Sequence, residues 1–455
     1  MGAMRPLLLA AALSLPFTLL AAEFRAGAAK RTLTPDLAKH GPVFIAGFGQ
    51  NRVATGIHDD LFARCLALHA GARPLVLCGV DSIGLFFDDV KRIRAKAPEA
   101  DVIVAATHVH QAPDTMGLWG PAAGKSGLNE AYVDYVVDRT AEAVREAIAD
   151  LRPAVLRLAK VSHPDLDSFI HDTRPPVRHD AELVVLAAED AAGRIIGTLL
   201  NWANHPEALD SKNTLITSDY PAYLHPVIEK KTGGVSVFIN GAVGGMQSPL
   251  GAKVADPAAG SPARQGTFRF AELIGARVAE LALDALHGAA RIRISAALFR
   301  EELVHIPMEN AGYQLALAAG VFAGRKKPAP DGSTVTPVGY VLLEDDRRRP
   351  ALEIALIPGE MYPELSVGGI ERYDGADFPQ APLEPAIKQQ MKAPYRMLFG
   401  LANDEIGYII PKAEWDASAP WLRGAPKRWY GEVNAVGPEA APRIAGAFSQ
   451  LVSGR

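Results

Sequence analysis

The chain is poor in cysteine, in charge of one sign and in long hydrophobic runs, and each shortage excludes something. Among 455 residues only Cys65 and Cys78 occur, too few for a disulfide scaffold or an all-cysteine metal site. Lys and Arg number 47 against 51 Asp and Glu, with no basic block, so a nucleic-acid partner has no electrostatic footprint here. Arg347-Arg348-Arg349 directly follows Glu344-Asp345-Asp346 and reads as a solvated loop. No segment reaches transmembrane length. No G-x-S-x-G elbow or ordered serine triad is found. Gly120-Pro121-Ala122-Ala123-Gly124-Lys125-Ser126 has one residue too few between its glycines for a phosphate loop. What remains is an ordinary globular composition, 49% hydrophobic and 22% charged, which rules out a disordered or collagen-like chain.

Residues 1–22 stand apart. Arg5 opens a positive n-region, 7–20 are apolar, and Ala21-Ala22 give a small-residue exit before Glu23. This is a secretory signal pattern, and no cysteine follows it to carry a lipid anchor. The mature chain, 23–455, is expected to be one exported, soluble catalytic domain, secreted or periplasmic. Cys65 and Cys78 flank Ala70-Gly71-Ala72-Arg73, a hairpin turn between 64–69 and 74–80. A two-residue turn at Gly71-Ala72 sets the cysteines opposite one another. Export permits a bridge; the expectation is two buried free thiols.

Short apolar runs alternate with amphipathic helices. Strands are expected at 101–107, 181–188, 194–202, 235–240, 292–304, 352–357 and 396–401. Helices are expected at 129–151 and 268–286, the first from Tyr132, Val136, Val137, Val144, Ile148 and Leu151 at helical spacing. Loops are expected at 250–266, 323–337 and 373–394. The mixture implies an α/β fold, a layered α/β or α+β sandwich with mixed sheets and flanking helices.

The strongest chemical signal is Thr107-His108-Val109-His110 at the end of an apolar strand. Side chains on a strand alternate with period two, so an H-x-H pair puts both imidazoles on one face. Both can bind zinc, or one can bind it while the other contacts substrate. His205, in Asn201-Trp202-Ala203-Asn204-His205-Pro206, stands at a second strand end, and Glu360, in Pro358-Gly359-Glu360, at a third. Tyr408 is a fourth candidate.

Gly56-Ile57-His58-Asp59-Asp60, Thr107-His108-Val109-His110, Gly117-Leu118-Trp119-Gly120-Pro121, Asn201 to Pro206, Ser218-Asp219-Tyr220-Pro221 and Ile357-Pro358-Gly359-Glu360 occur here in sequence. In this order they resemble the N-terminal catalytic domain of the neutral/alkaline non-lysosomal ceramidases. The resemblance implies a zinc amidase acting on ceramide or a related N-acyl lipid, hence a role in sphingolipid metabolism. It implies zinc (Zn2+) on His108, His205, Glu360 and Tyr408, with His110 in the substrate cavity; Tyr408 as a buried tyrosine merely beside the site stays open. Such a donor set suits zinc, which can hold an activated water and polarise a carbonyl.

The chain also departs from that pattern. The family's catalytic serine segment, Asn-x-Gly-Asp-x-Ser-Pro, corresponds to Asn240 to Pro249, where Gly245 replaces the Asp and Ser248 falls one residue late. Ser248 is therefore either a displaced catalytic residue or has lost that role. Arg174, in the place of an Asn-Arg loop, either binds a substrate carbonyl or head group or is a surface arginine. One of Asp59, Asp60 and Asp81 is expected to orient a ligand histidine. The C-terminal immunoglobulin-like domain has no counterpart after Trp429-Tyr430-Gly431, which leaves peripheral membrane contact open and ceramide itself in question. Two other readings stand beside a ceramidase: a zinc hydrolase of a non-sphingoid amide or ester, and a metal-containing binding protein without catalysis.

Overall fold

The computed structural model describes residues 23–454, so residues 1–22, where a signal segment is expected, lie outside the described residues. A nine-stranded sheet and a smaller one share a buried apolar core, with helices packed on their outer faces. The larger, nine-stranded sheet runs Val235–Asn240, Ile195–Trp202, Leu183–Asp190, Arg152–Val161, Arg25–Thr32, Phe62–His69, Leu75–Val80 and Asp101–Ala106, with Arg291–Ile292 paired to Arg152–Val161. The smaller runs Ile294–Pro307, Ser333–Asp345, Pro350–Leu356 and Tyr395–Phe399, the last pair parallel.

The pleat explains the layering. In Leu183–Asp190, Val184, Leu186 and Ala188 face the other sheet, against Leu352, Ile354 and Phe399. The alternate residues Leu183, Val185 and Ala187 face the helices Pro221–Thr232 and Phe268–His287. Strands buried on both faces read as unbroken apolar runs, which is why these segments were legible. Phe62–His69 and Asp101–Ala106 are covered on their outer face by Phe87–Ala95 and Glu130–Ala149. The latter starts where expected because the Asn129 side chain accepts the Tyr132 amide at 2.9 Å, a cap for an otherwise orphaned donor. Ala440–Ser453 covers the outer face of the smaller sheet. No helix among the described residues is long and apolar enough to cross a membrane.

Two expectations are corrected. Cys65 and Cys78 form a disulfide rather than two free thiols: their strands pair in the register that sets them directly opposite, with Cα atoms 4.1 Å apart. The loop expected over 323–337 ends early, because Ser333–Asp345 is a strand. Its first residues pair with Ile294–Pro307 alone, while Pro350–Leu356 joins only from Gly339 onward. Pro337 thus lies where one side of the strand needs no donor.

Candidate metal centre

The strand carrying the H-x-H motif stops at Ala106, and the histidines lie beyond it in a braced loop. His108 adopts φ 64°, and the amides of Thr107, Val109 and His110 donate to Val80, Ser82 and Pro206 carbonyls. The two imidazoles do face one point, but through this turn rather than through strand alternation. Their ring centroids are 4.9 Å apart, and His205 lies 4.9 Å from His108 and 5.4 Å from His110. His205 follows the strand ending at Trp202, and Asn240 clamps the two loops by donating to the Thr107 carbonyl and accepting the Asn204 amide.

The His108 and His205 rings are oriented through Nδ1. His108 Nδ1 is 2.6 Å from the Ile83 carbonyl and His205 Nδ1 2.8 Å from that of Gln247. His110 Nδ1 lies 3.0 Å from a carboxylate oxygen of Glu207, in an oblique approach. The Nε2 atoms of His108 and His205 turn inward to Glu360 Oε2, at 3.5 and 3.1 Å. His110 Nε2 is buried with no partner among the described residues.

Glu360 and Tyr408 are distant in sequence but start two short parallel strands, Glu360–Met361 and Tyr408–Ile409, in which they are direct partners. The Tyr408 hydroxyl is 3.1 Å from Met246 Sδ and within hydrogen-bond reach of Glu360. Burial alone would raise the Glu360 carboxyl, yet His108 and His205 hold it well below the usual carboxylate range. Burial raises the Tyr408 phenol, and Glu360 adds to the rise. His110 is lowered to about 4 by burial, against the pull of Glu207.

His108, His110 and His205 form a group whose ligand atoms lie within 4.8 Å of one another. With Nδ1 of His108 and His205 committed to carbonyls, their Nε2 atoms and the Glu360 carboxylate face each other in a buried space. That donor set fits a divalent cation such as zinc, and a cation would also favour the Tyr408 phenolate. His108, His110, Glu360 and Tyr408 line one end of a cavity whose remaining wall includes Phe86, Met116, Trp119, Tyr313, Phe322 and Tyr430.

The other candidates sit as follows. Ser248 is next to Gln247, its Oγ accepting the Leu250 amide at 3.0 Å. Gly245 has φ 74°, and a Cβ there would lie 3.1 Å from Asp172 Oδ1, so Asp172 brings a carboxylate beside the position where the family pattern has its Asp. Arg174 is not a surface residue: it is buried, 2.7 Å from Glu432, donates to the Glu414 carbonyl, and does not line the cavity. Asp59 bonds His58, Thr217 and Ser218, and Asp60 bonds Thr34. Asp81 bonds the Phe62 amide and Thr107, so it braces the loop without touching a candidate ligand ring. Backbone carbonyls take the orienting role expected of an aspartate. Glu207 escaped the sequence reading; its signal is an acid two residues after His205, across a proline that fixes the loop.

No family model matches the chain. The neutral ceramidase of Pseudomonas aeruginosa is 26% identical over 274 residues, 53% of this chain and 39% of that protein. The chain thus matches about two fifths of the length of this curated relative. A crystal structure of the P. aeruginosa neutral ceramidase superposes with a TM-score of 0.69 at 20% identity, covering 94% of this chain and 74% of that one. A ceramidase complexed with C2 gives 0.69 at 18%, covering 94% and 75%. In sequence and in fold the chain is neutral ceramidase-like.

Proposed function

We propose that the protein is an exported zinc hydrolase that cleaves a linear amide bond, in ceramide or a related N-acyl compound. One observation carries this reading: three buried imidazoles with ligand atoms within 4.8 Å of one another converge with the Glu360 carboxylate at a largely apolar cavity. The ceramidase relatives support the substrate class. His108, His205, Glu360 and Tyr408 hold the metal. A bound zinc supplies Lewis acidity for a carbonyl oxygen and acidifies water to a pKa of about 7.

The chain's own groups do the rest. His110 presents an unpartnered Nε2 to the cavity, where it can take up and return a proton. Phe86, Trp119 and Phe322 exclude water and receive an apolar chain. Ser248 stands one residue late in its segment and its Oγ accepts the Leu250 amide, and it is assigned no nucleophilic role. Arg174 is engaged away from the cavity and serves the fold. The Cys65–Cys78 bridge suits an oxidising compartment and supports export.

The test is zinc analysis of the purified protein with hydrolysis of a panel of N-acyl substrates, ceramides among them. Zinc-dependent release of free acid is expected. A zinc-loaded protein that hydrolyses none of the panel would leave the binding-protein reading.

A further inference from the structure

The cavity wall is apolar over most of its extent, yet one carboxyl outside the proposed ligand set belongs to it. Glu405 lines the cavity and is only 4% exposed. Its Oε1 accepts the Gly407 amide at 2.7 Å, and its Oε2 is buried with no partner among the described residues. Among the described side chains that line the cavity, His110 is the other with such an orphaned buried atom. A buried carboxyl oxygen left unbonded is costly, and a ligand that pairs with it removes the cost.

The carboxyl is held in place by its surroundings. Its stem lies against Gly84, where a Cβ would fall 3.0 Å from Glu405 Cγ and 2.8 Å from the Met116 sulfur. Next to it, Asp404 accepts the Phe87 and Glu405 amides at 3.0 and 2.9 Å and binds the Lys326 ammonium. Lys326 lines the same cavity, and its charge is already matched by Asp404. An incoming ammonium would meet that lysine, whereas a hydroxyl brings no charge and can donate to the free oxygen. Glu405 precedes Tyr408 by three residues, a reach of at most about 11 Å, so the group it meets lies close to the bond being cleaved.

We infer that Glu405 is a specificity-determining residue whose free oxygen accepts a hydroxyl of the substrate, so that amides with a hydroxyl close to the scissile bond are selected over plain fatty amides. This deepens the hydrolase reading above and rests on it. The hydroxyl can belong to the amine half or to the acyl half. A plain chain leaves the buried oxygen unpaired, and a site built to pair a hydroxyl rejects the analogue that lacks one.

The experiment compares the zinc-loaded parent with Glu405→Leu and Glu405→Gln on three matched amides: one plain, one hydroxylated on the second carbon of the amine, one hydroxylated on the second carbon of the acyl chain. Zinc per chain and kcat/KM are measured for each. Calorimetry gives the affinity for the corresponding ketones, in which carbon replaces the amide nitrogen and no amide bond can be cleaved. The parent should favour a hydroxylated amide about 100-fold, and the arm that shows the preference names the half that carries the hydroxyl. Glu405→Leu should narrow the preference to below about tenfold with zinc retained. Glu405→Gln, whose carboxamide still pairs with a hydroxyl, should keep it to within about threefold. If Glu405→Leu does not fold, Glu405→Met takes its place. No preference in the parent, or one that survives in Glu405→Leu or Glu405→Met, would overturn the proposal. A parent that cleaves none of the amides refutes the hydrolase reading, and the ketone affinities still decide whether Glu405 reads a hydroxyl.

Discussion

The histidine cluster and the Arg174 cluster are neighbours, both buried, both built on carboxylates. Tyr362 stands between them, 5.0 Å from the Arg174 guanidinium and 6.1 Å from the Tyr408 ring. Around Arg174 gather Glu432, Glu414 and Glu364, of which Glu364 is pushed well above the usual range by burial and by Glu414. Glu432 is also raised by burial, with Arg174 pulling against it. Here a permanent cation is present, and burial pushes the surrounding carboxyls upward. At the histidine cluster the Glu360 and Glu207 carboxyls are held low despite burial, and the groups that hold them there are imidazoles rather than a permanent cation. A buried anion held without a permanent cation marks a place for one; a guanidinium already in place marks a structural tie.

The largest expected difference between the two is the response to zinc. A metal that binds only the folded chain stabilises it by about 4 kcal/mol at a thousandfold excess over its Kd. Denaturant unfolding with zinc and with chelator should show a shift of that order in the parent and none in His108→Ala. Arg174→Ala strands Glu432 in the interior and should cost about 3 kcal/mol of unfolding free energy with zinc uptake unchanged. Zinc lost from Arg174→Ala would merge the two clusters into one. Tyr408→Phe should weaken zinc about tenfold, about 1.4 kcal/mol, by competition against a chelating dye. An unchanged affinity would take Tyr408 off the metal. Ser248→Ala should keep turnover within about tenfold of the parent and build up no acyl-enzyme.

A pH-dependent effect concerns Asp172, which accepts the Arg174 amide. It approaches Gly245, and burial raises its carboxyl to about 7. In the unfolded chain its value is about 3.9. Its contribution is therefore complete below about pH 4 and is lost as pH rises to about 7, because only the unfolded chain ionises freely in that window. Asp172→Asn should flatten the fall in stability between those limits, read from unfolding curves at several pH values. An equally steep fall in the variant would assign the slope to another group.

Much of the fold was legible because its chemistry is local. Val235–Asn240 and the Asn129-capped helix follow from unbroken apolar runs, helical spacing and a capping side chain. The opposed cysteines followed from hairpin register, whereas their bond did not, since paired thiols and a bridge leave the same pattern. His108 and His205 stand at strand ends, where convergence is a general expectation. The pairing of Glu360 with Tyr408 comes from two-residue strands that carry no periodicity. The Glu207–His110 contact arises where two loops cross, and Arg174 was misjudged because its partner Glu432 is remote in sequence.

The central claim is that the histidine cluster, and not its neighbour, holds a cation. Metal analysis after zinc titration and gel filtration tests it directly on the parent, His205→Ala and Arg174→Ala. The account predicts about one zinc per chain in the parent and in Arg174→Ala, and almost none in His205→Ala. A parent that takes up no zinc, or a His205→Ala variant that keeps its full complement, would contradict it.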